Sequence, residues 1–198
     1  MNNQEFIELI NHGREERNLE YKGDISWNDE DTRASITKTV LAMSNISDGG
    51  IIVIGVHKSG EEYLPNGISD NNYSSFKQDD LSSFINEYAD PYVELTLTQI
   101  EHNSKKFVII QIQQFTELPV ICKKDGLRNL KRGGIYTRPR RKIESTFIPS
   151  QVEMRELIEH AVEIQIIKRM NFFRVAGVDI KETGDDEITK FIDQLKGL

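Results

Sequence analysis

The chain has 198 residues, of which 37% are hydrophobic and 29% are charged, and its formal net charge is −7. This length and apolar content predict one domain with a hydrophobic core and exclude a globally disordered chain. No apolar run approaches the roughly 20 residues of a membrane-spanning helix, and Met1–Leu9 lacks the basic and apolar regions of a signal peptide. With a single cysteine, Cys122, no intrachain disulfide is expected, which predicts a cytoplasmic protein.

The opening part of the chain predicts a helix, a strand and a second helix. Apolar residues at helical spacing predict the first helix over residues 3–12. Alternating polarity predicts a short strand over residues 18–22. The second helix is expected from about residue 30 to 46, with Asn28 or Asp29 as its N-terminal cap.

A glycine turn, Asp48-Gly49-Gly50, separates this helix from the apolar run Ile51–Val56, which predicts a strand buried on both faces. The turn could present backbone amides to a phosphate. However, the turn follows a helix and precedes a strand, so no helix N-terminus points at a ligand there. The pattern therefore favours the alternative, a tight turn whose residues need positive φ. A loop is predicted over residues 57–75 and a helix over 78–87.

A hairpin and two shorter strands are predicted next. Alternation over residues 93–101 and 106–113 predicts two strands that are joined by a turn at residues 102–104. Shorter strands are expected over residues 119–123 and 134–137. Cys122 lies in an apolar run and is interpreted as a small buried side chain.

The last part of the chain predicts a long helix from residue 150 to about 170, with Ser150 and Glu153 as a capping box. A linker over residues 176–184 and a short helix over 188–195 are expected to follow. The order of elements predicts the α+β class: a single mixed-sheet domain packed with helices, plus a C-terminal helix. The predicted domain covers residues 1–148, and the C-terminal helix and short tail cover 149–198.

Two charged side chains share one face of the first strand. In Glu20-Tyr21-Lys22 the carboxylate and the ammonium point the same way, because strand side chains repeat every two residues. Metal-dependent nucleases use this arrangement, in which the carboxylate holds a hard cation and the lysine orients water or stabilises phosphorane charge. Glu15 or Glu16 could supply a second ligand. The spacing alone favours the alternative, a solvated strand edge with a Glu–Lys pair.

A local concentration of positive charge lies in residues 123–142, which we call the basic segment. It contains one acid, Asp125, and nine basic residues, so its net charge is +8 while the rest of the chain carries −15. Such a local field can hold phosphates although the whole protein is acidic. The basic residues are Lys123, Lys124, Arg128, Lys131, Arg132, Arg138, Arg140, Arg141 and Lys142.

Glycines and one tyrosine lie between these cations. Glycines let a backbone approach a phosphate, arginine binds a phosphate through two parallel hydrogen bonds, and Tyr136 could stack on a base. The predicted nucleic-acid-binding residues are Arg128, Lys131, Arg132, Tyr136, Arg138, Arg140 and Arg141. The alternative is a solvated basic loop that pairs with the protein's own acids.

Five blocks follow one another along the chain: Glu15–Lys22, Ile36–Gly50, Ile51–Val56, Pro65–Ile68 and Tyr136–Pro139. The first contains the E-Y-K strand and the second ends in A-M-S-N-I-S-D-G-G, and these two are the most specific. In this order the blocks resemble the Schlafen Alba-type domain family (AlbA_2), over about residues 5–160. The similarity is to bacterial members in which this domain stands alone.

The resemblance implies an α+β domain that binds DNA or RNA. Bacterial members are described as regulators or as ATP-binding proteins, and animal Schlafen proteins include metal-dependent ribonucleases that act on transfer and ribosomal RNA. Their two catalytic glutamates fall on Glu15 and Glu20 here, and the neighbouring lysine falls on Lys22. The implied cofactor is Mg²⁺ or Mn²⁺.

The chain departs from this family pattern at one position. The aspartate that follows the G-V strand in the ribonucleases falls on His57 or Lys58, and neither is a carboxylate. The implied metal ligands are therefore Glu15, Glu20 and His57. Losing one carboxylate weakens the binding of a hard cation, and a lysine would repel it.

Three hypotheses follow. The first is a nucleic-acid-binding protein, regulatory or defence-related, which uses the basic segment. The second is a divalent-metal-dependent ribonuclease that acts on structured RNA through Glu15, Glu20 and Lys22. The third is an interaction module that forms a homodimer through the 150–170 helix, whose apolar residues occupy more than one side.

Overall fold

The computed structural model describes residues 3–140, 144–147 and 150–176. Its helices are α1 (Asn3–Asn11), α2 (Glu30–Ser44), α3 (Asp70–Ser75), α4 (Gln78–Asn86) and α5 (Gln151–Val175). Its strands are β1 (Leu19–Lys22), β2 (Gly50–Ile54), β3 (Val56–Ser59), β4 (Glu62–Pro65), β5 (Ala89–Asp90), β6 (Leu95–His102), β7 (Lys105–Ile112), β8 (Ile121–Cys122), β9 (Tyr136–Thr137) and β10 (Thr146–Phe147). Helices and a mixed sheet confirm the predicted α+β class.

A four-stranded sheet of order β1-β2-β7-β6 forms the centre of the fold. β1 runs parallel to β2, whereas β2 with β7 and β6 with β7 are antiparallel. The parallel pair requires a crossover, which α2 supplies between the two strands. The β6–β7 hairpin turns at Asn103 and Ser104, which both adopt positive φ.

The two faces of the sheet pack against different helices. Tyr21, Val53 and Ile109 lie in register on one face, where they form a cluster with Phe6 and Ile10 of α1. Because side chains alternate along a strand, the neighbouring residues of β1, β2 and β7 point to the opposite face, toward α2. This alternation directs the Glu20 side chain toward α2.

α2 begins at a defined cap and is buried along most of its length. The Asp29 side chain accepts a hydrogen bond of 2.7 Å from the backbone N–H of Thr32, which confirms one of the two predicted caps. Ile36, Val40 and Met43 are fully buried. α2 contacts β2, β7 and β9, so it connects the central sheet with the basic segment.

The glycine turn after α2 is a tight connection. Asp48 and Gly49 have φ of 67° and 68°. A Cβ atom on Gly49 would lie 2.0 Å from the backbone oxygen of Ile112, so no side chain fits there. The turn interpretation is therefore confirmed.

The loop predicted over residues 57–75 was wrong in part. β3 and β4 form an antiparallel hairpin there, and α3 follows it. α5 also extends further than predicted, to Val175. The linker and helix predicted over residues 176–184 and 188–195 lie outside the described residues, except for residue 176.

Two compact units are distinguished, Met1–Ala161 and the remainder of the chain. α5 supplies its first turns to the first unit and the rest of its length to the second. Of the helices that the structure describes, none combines the length and the apolar character that crossing a membrane would require.

Candidate nucleic-acid interface

Glu20 lies at the centre of a buried ionic cluster. Its carboxylate accepts a hydrogen bond from the guanidinium of Arg138 and pairs with the ammonium of Lys22. Thr39 of α2 donates from its hydroxyl to both oxygens at 3.4 Å. Arg138 is 0% exposed and also donates to the backbone oxygen of Glu16 at 3.3 Å. Two cations therefore neutralise the one carboxylate.

This cluster joins parts of the chain that are far apart in sequence. Glu20 is on β1, and Arg138 follows β9, 118 residues later. A buried charge without a counter-charge is strongly unfavourable, so each partner requires the other. The two sequence blocks E-Y-K and Y-T-R-P therefore meet in a contact that positions the basic segment against the sheet.

Glu15 makes a separate set of contacts. Its carboxylate accepts a hydrogen bond of 3.0 Å from the backbone N–H of Tyr21 and one of 3.1 Å from the hydroxyl of Tyr63. The ammonium of Lys58 lies over the Tyr63 ring, 5.4 Å from its centroid. A hydrogen bond with Tyr63 and the charge of Glu15 raise the pKa of Lys58, so this side chain stays cationic.

The residues present do not fit the divalent cation that the resemblance implies. In residues 3–140, 144–147 and 150–176, no three His, Cys, Asp or Glu side chains are grouped as a metal ion would need. The predicted metal set of Glu15, Glu20 and His57 therefore does not form such a group in this structure. Glu20 is held by Arg138 and Lys22, whose charges oppose a second cation at the same carboxylate. The predicted catalytic Lys22 is likewise an ion-pair partner of Glu20.

Two residues predicted to bind nucleic acid belong to the interior. Tyr136 is 1% exposed, and its hydroxyl donates to the backbone oxygen of Asn129 at 2.7 Å and accepts from the backbone N–H of Lys131 at 2.8 Å. Burial raises the pKa of Tyr136. Tyr136 and Arg138 are both buried, so neither presents its side chain at the surface, and their contact with a nucleic acid stays a prediction.

The exposed cations nearest to this core lie on a short turn. Lys131 and Arg132 are exposed, and Gly133 adopts φ of 77°. Cys122 of β8 makes two backbone hydrogen bonds with this turn: the Gly133 N–H donates to the Cys122 oxygen at 2.7 Å, and the Cys122 N–H donates to the Gly134 oxygen at 2.8 Å. We call residues 131–134 the basic turn, since β8 anchors it while its two cations point to solvent.

The other cations predicted to bind nucleic acid differ in how closely they are paired with acidic residues of the protein itself. Arg128 forms a two-point ion pair with Asp31, in which Nε lies 2.6 Å from Oδ1. Lys131 lies 3.9 Å from Asp125, which is a weak pair between exposed side chains. Arg132 has no ion-pair partner among the described residues. Arg141 lies outside the described residues.

Arg140 belongs to a clamp that holds the start of α5. Glu156 accepts hydrogen bonds from Arg17 at 2.7 Å and from Arg140 at 3.2 Å. Burial pushes the pKa of Glu156 upward, but the hydrogen bonds and charges of Arg17 and Arg140 outweigh it and leave the pKa below its ordinary value. Leu157, the next residue, is buried, so ionic and apolar contacts act together here.

Asn45 was missed as a key residue, although it is the N of the A-M-S-N block. Its side-chain amide donates to the backbone oxygens of Val120 at 2.8 Å and Tyr136 at 2.9 Å, and its oxygen accepts from the Val120 N–H at 2.7 Å. Asn45 is 3% exposed. It thereby fixes both β9 and the chain before β8 to the end of α2.

The fold and these joined sequence blocks define an α+β domain with a structurally anchored basic segment. The chain belongs to the Schlafen AlbA_2 family, whose model matches residues 15–147. The matched range contains the ionic cluster, the Asn45 contacts and the basic turn. Curated protein sequences give no match to the chain.

Two solved structures are similar to this chain. One is the DIP2311 protein from Corynebacterium diphtheriae, at 11% identity and a TM-score of 0.47; the match covers 71% of this chain and only 23% of that protein. The other is the N-terminal domain of a protein from Nitrosomonas europaea described as related to the ATP-dependent DNA helicase RecG. It is 22% identical with a TM-score of 0.46, and the match covers 63% of this chain and 86% of that one. Neither TM-score reaches 0.5, so the family assignment rests on the sequence match.

Proposed function

We propose that the chain binds nucleic acid through the exposed cations of the basic segment. The observation that carries the proposal is the basic turn, where Lys131 and Arg132 project beside two glycines in a chain whose net charge outside the basic segment is −15. Phosphates bind where cations and accessible backbone lie together. The family expectation, a DNA- or RNA-binding domain, agrees with this chemistry.

The neighbouring pairs are compatible with a phosphate ligand. Arg128 with Asp31, and Arg140 with Glu156, each leave the arginine side chain largely exposed. Exposed ion pairs contribute only about 0–1 kcal/mol, so a phosphate can compete for either guanidinium. The proposed contact residues are therefore Lys131 and Arg132 first, with Arg128 and Arg140 as further exposed cations of the basic segment. The contact predicted for Arg141, which lies outside the described residues, stays a prediction.

Binding is tested by fluorescence anisotropy with labelled RNA and DNA over a range of salt concentrations. The double variant Lys131→Glu/Arg132→Glu should weaken binding by about tenfold or more and reduce the slope of log affinity against log salt by about one per lost contact. The matched control is Lys105→Glu, which reverses an exposed cation on the β6–β7 turn. Equal losses in both proteins, or no binding by the unchanged chain at low salt, would contradict the proposal.

Ribonuclease activity is not part of this proposal, because the predicted metal ligands are not grouped. Regulatory or defence roles and a cytoplasmic location remain predictions. A discriminating measurement is the incubation of the chain and its Glu20→Ala variant with transfer RNA and Mn²⁺. We expect no cleavage that depends on Glu20.

We also propose that α5 pairs with α5 of a second copy. An exposed apolar stripe runs along its second half at spacings of four, four and three residues, and consists of Val162, Ile166, Met170 and Phe173. The helix is acidic in its first half, with four glutamates, and basic near its end, with Lys168, Arg169 and Arg174. An antiparallel pair would place unlike charges opposite each other, which favours a second copy as the partner.

Sedimentation velocity tests this pairing. The unchanged chain should sediment as a dimer at tens of micromolar, roughly the range of moderate self-affinity, and Ile166→Asp should convert it to a monomer. Leu118→Asp, at an exposed apolar residue outside α5, is the control. A monomeric unchanged chain would contradict the pairing, including the case in which residues 177–198 cover the stripe.

A further inference from the structure

Phe147 is an exposed aromatic side chain beside the basic turn. It lies on β10, where it is paired directly with Tyr136 of β9. The two rings are 6.0 Å apart at 85°, an edge-to-face contact that fixes the position of Phe147. Phe147 is nevertheless 57% exposed, whereas Tyr136 is buried. The aromatic residue available at this surface is therefore Phe147.

The ring also touches the turn that carries the cations. A Cβ atom on Gly134 would lie 3.2 Å from the Phe147 ring and 2.8 Å from the backbone oxygen of Lys131. Gly134 thus lets the ring approach the backbone of the basic turn. This places an exposed aromatic ring next to the two exposed cations, Lys131 and Arg132.

The buried Tyr136 ring, against which Phe147 packs, is held in a fixed position. The Tyr136 hydroxyl is hydrogen-bonded on both sides, to Asn129 and Lys131, and the Lys38 ammonium lies 5.7 Å from the Tyr136 ring centroid. A third cation therefore lies close to the Tyr136 ring that supports Phe147. An aromatic residue held on a fixed support loses little conformational entropy when a flat ligand stacks on it.

The geometry points to Phe147 as the stacking residue of a site for single-stranded nucleic acid, in which an unpaired base lies on its ring and the flanking phosphates contact Lys131 and Arg132. This inference rests on the proposed nucleic-acid binding and defines its ligand class. In a duplex the base faces are covered by their neighbours, so a stacking residue favours unpaired strands. Base stacking is sequence-tolerant, because every base has a π-face.

The test compares a labelled single strand with a duplex of the same length. Phe147→Leu keeps an apolar side chain but removes the aromatic face, and should weaken single-strand binding by about 5- to 100-fold. Its duplex affinity and its salt slope should stay unchanged, because no phosphate contact is lost. Tyr92→Leu, at another exposed aromatic residue, should change neither affinity.

Phe147→Trp provides an independent measurement. It should retain single-strand binding, and its added indole fluorescence should be quenched by the single strand and not by the duplex. Trp27 is buried and contributes a constant signal. Unchanged single-strand affinity in Phe147→Leu would overturn the stacking role and leave the cation proposal standing. Absence of binding by the unchanged chain would overturn both, and weakening only in Lys131→Glu/Arg132→Glu would identify a site that contacts phosphates alone.

Discussion

The basic segment has two neighbouring parts with opposite roles. Lys131 and Arg132 lie on an exposed turn, whereas Tyr136 and Arg138 are buried and hold β9 against α2 and β1. In the sequence all four read as one patch with a uniform nucleic-acid-binding role. The structure shows that the second part builds the support and the first part presents the charge, so a charge run can serve the core and the surface at once.

The largest expected effect is on the free energy of unfolding, which should depend on the buried part of the basic segment and not on the exposed part. Arg138→Met removes the fully buried one of the two cations that pair with Glu20 and should lower the free energy of unfolding by about 3 kcal/mol. Arg132→Met, at an exposed position, should change it by no more than about 0.5 kcal/mol. Urea denaturation of both variants measures the difference.

A second change tests whether the loss comes from the Glu20 carboxylate, which in Arg138→Met keeps only Lys22 as a counter-charge. Adding Glu20→Gln to Arg138→Met should recover part of the lost stability, because the buried charge is removed together with its partner. If Arg138→Met and Arg132→Met destabilise the chain equally, the buried role of Arg138 is contradicted.

The next prediction compares the buried and the exposed part of the basic segment by their effect on nucleic-acid binding. Tyr136→Phe removes one hydroxyl and leaves the backbone oxygen of Asn129 and the N–H of Lys131 without that partner, which should cost about 1–2 kcal/mol of stability. Its affinity for a nucleic-acid duplex, which does not use stacking on Phe147, should stay unchanged under conditions where it remains folded. Lys131→Ala should show the reverse: ordinary stability and weakened binding. A loss of duplex affinity in folded Tyr136→Phe would instead indicate that Tyr136 contacts the nucleic acid.

The smallest expected effect is a pH dependence of the Arg17–Glu156–Arg140 clamp. Because the folded-state pKa of Glu156 lies below its ordinary value of 4.5, the clamp contributes fully above that value. Its contribution falls as the pH drops through the lower folded-state pKa. Glu156 is partly exposed, so we expect about 1 kcal/mol or less.

Thermal unfolding measured between pH 3 and 7 checks this effect. Glu156→Gln should be less stable than the unchanged chain at neutral pH, and the difference should shrink as the solution becomes acidic. Glu159→Gln, an exposed neighbour on α5, is the control. If the difference in stability between the unchanged chain and Glu156→Gln stays constant with pH, an ionic contribution of Glu156 to the clamp is contradicted.

Hydrophobic periodicity was sufficient to predict the elements that bury a regular face. α2, β2 and the β6–β7 hairpin were predicted at nearly their observed bounds, because their apolar residues repeat at helical or strand spacing. The β3–β4 hairpin was missed because only Val56 of its residues is buried, and an exposed ribbon carries no such pattern. α3 is too short for a helical repeat to be visible.

The site was harder to predict than the fold. Charged residues are seldom fully buried, and the partner that allows Arg138 to be buried is on a strand 118 residues away. Nothing in the local sequence distinguishes Arg138 from Arg132. Asn45 likewise gains its role from backbone groups at Val120 and Tyr136, which the fold brings together.

Cys122 has a practical consequence as a built-in reporter. It is the chain's single cysteine, is fully buried, and its backbone is hydrogen-bonded to Gly133 and Gly134 of the basic turn. Burial raises the pKa of its thiol, so little reactive thiolate is present in the closed state. A thiol-specific reagent will therefore modify the native chain only when the contacts around β8 open, and those contacts include the basic turn. The rate at which the Cys122 sulfur is labelled therefore reports local opening next to the proposed interface, without an engineered probe.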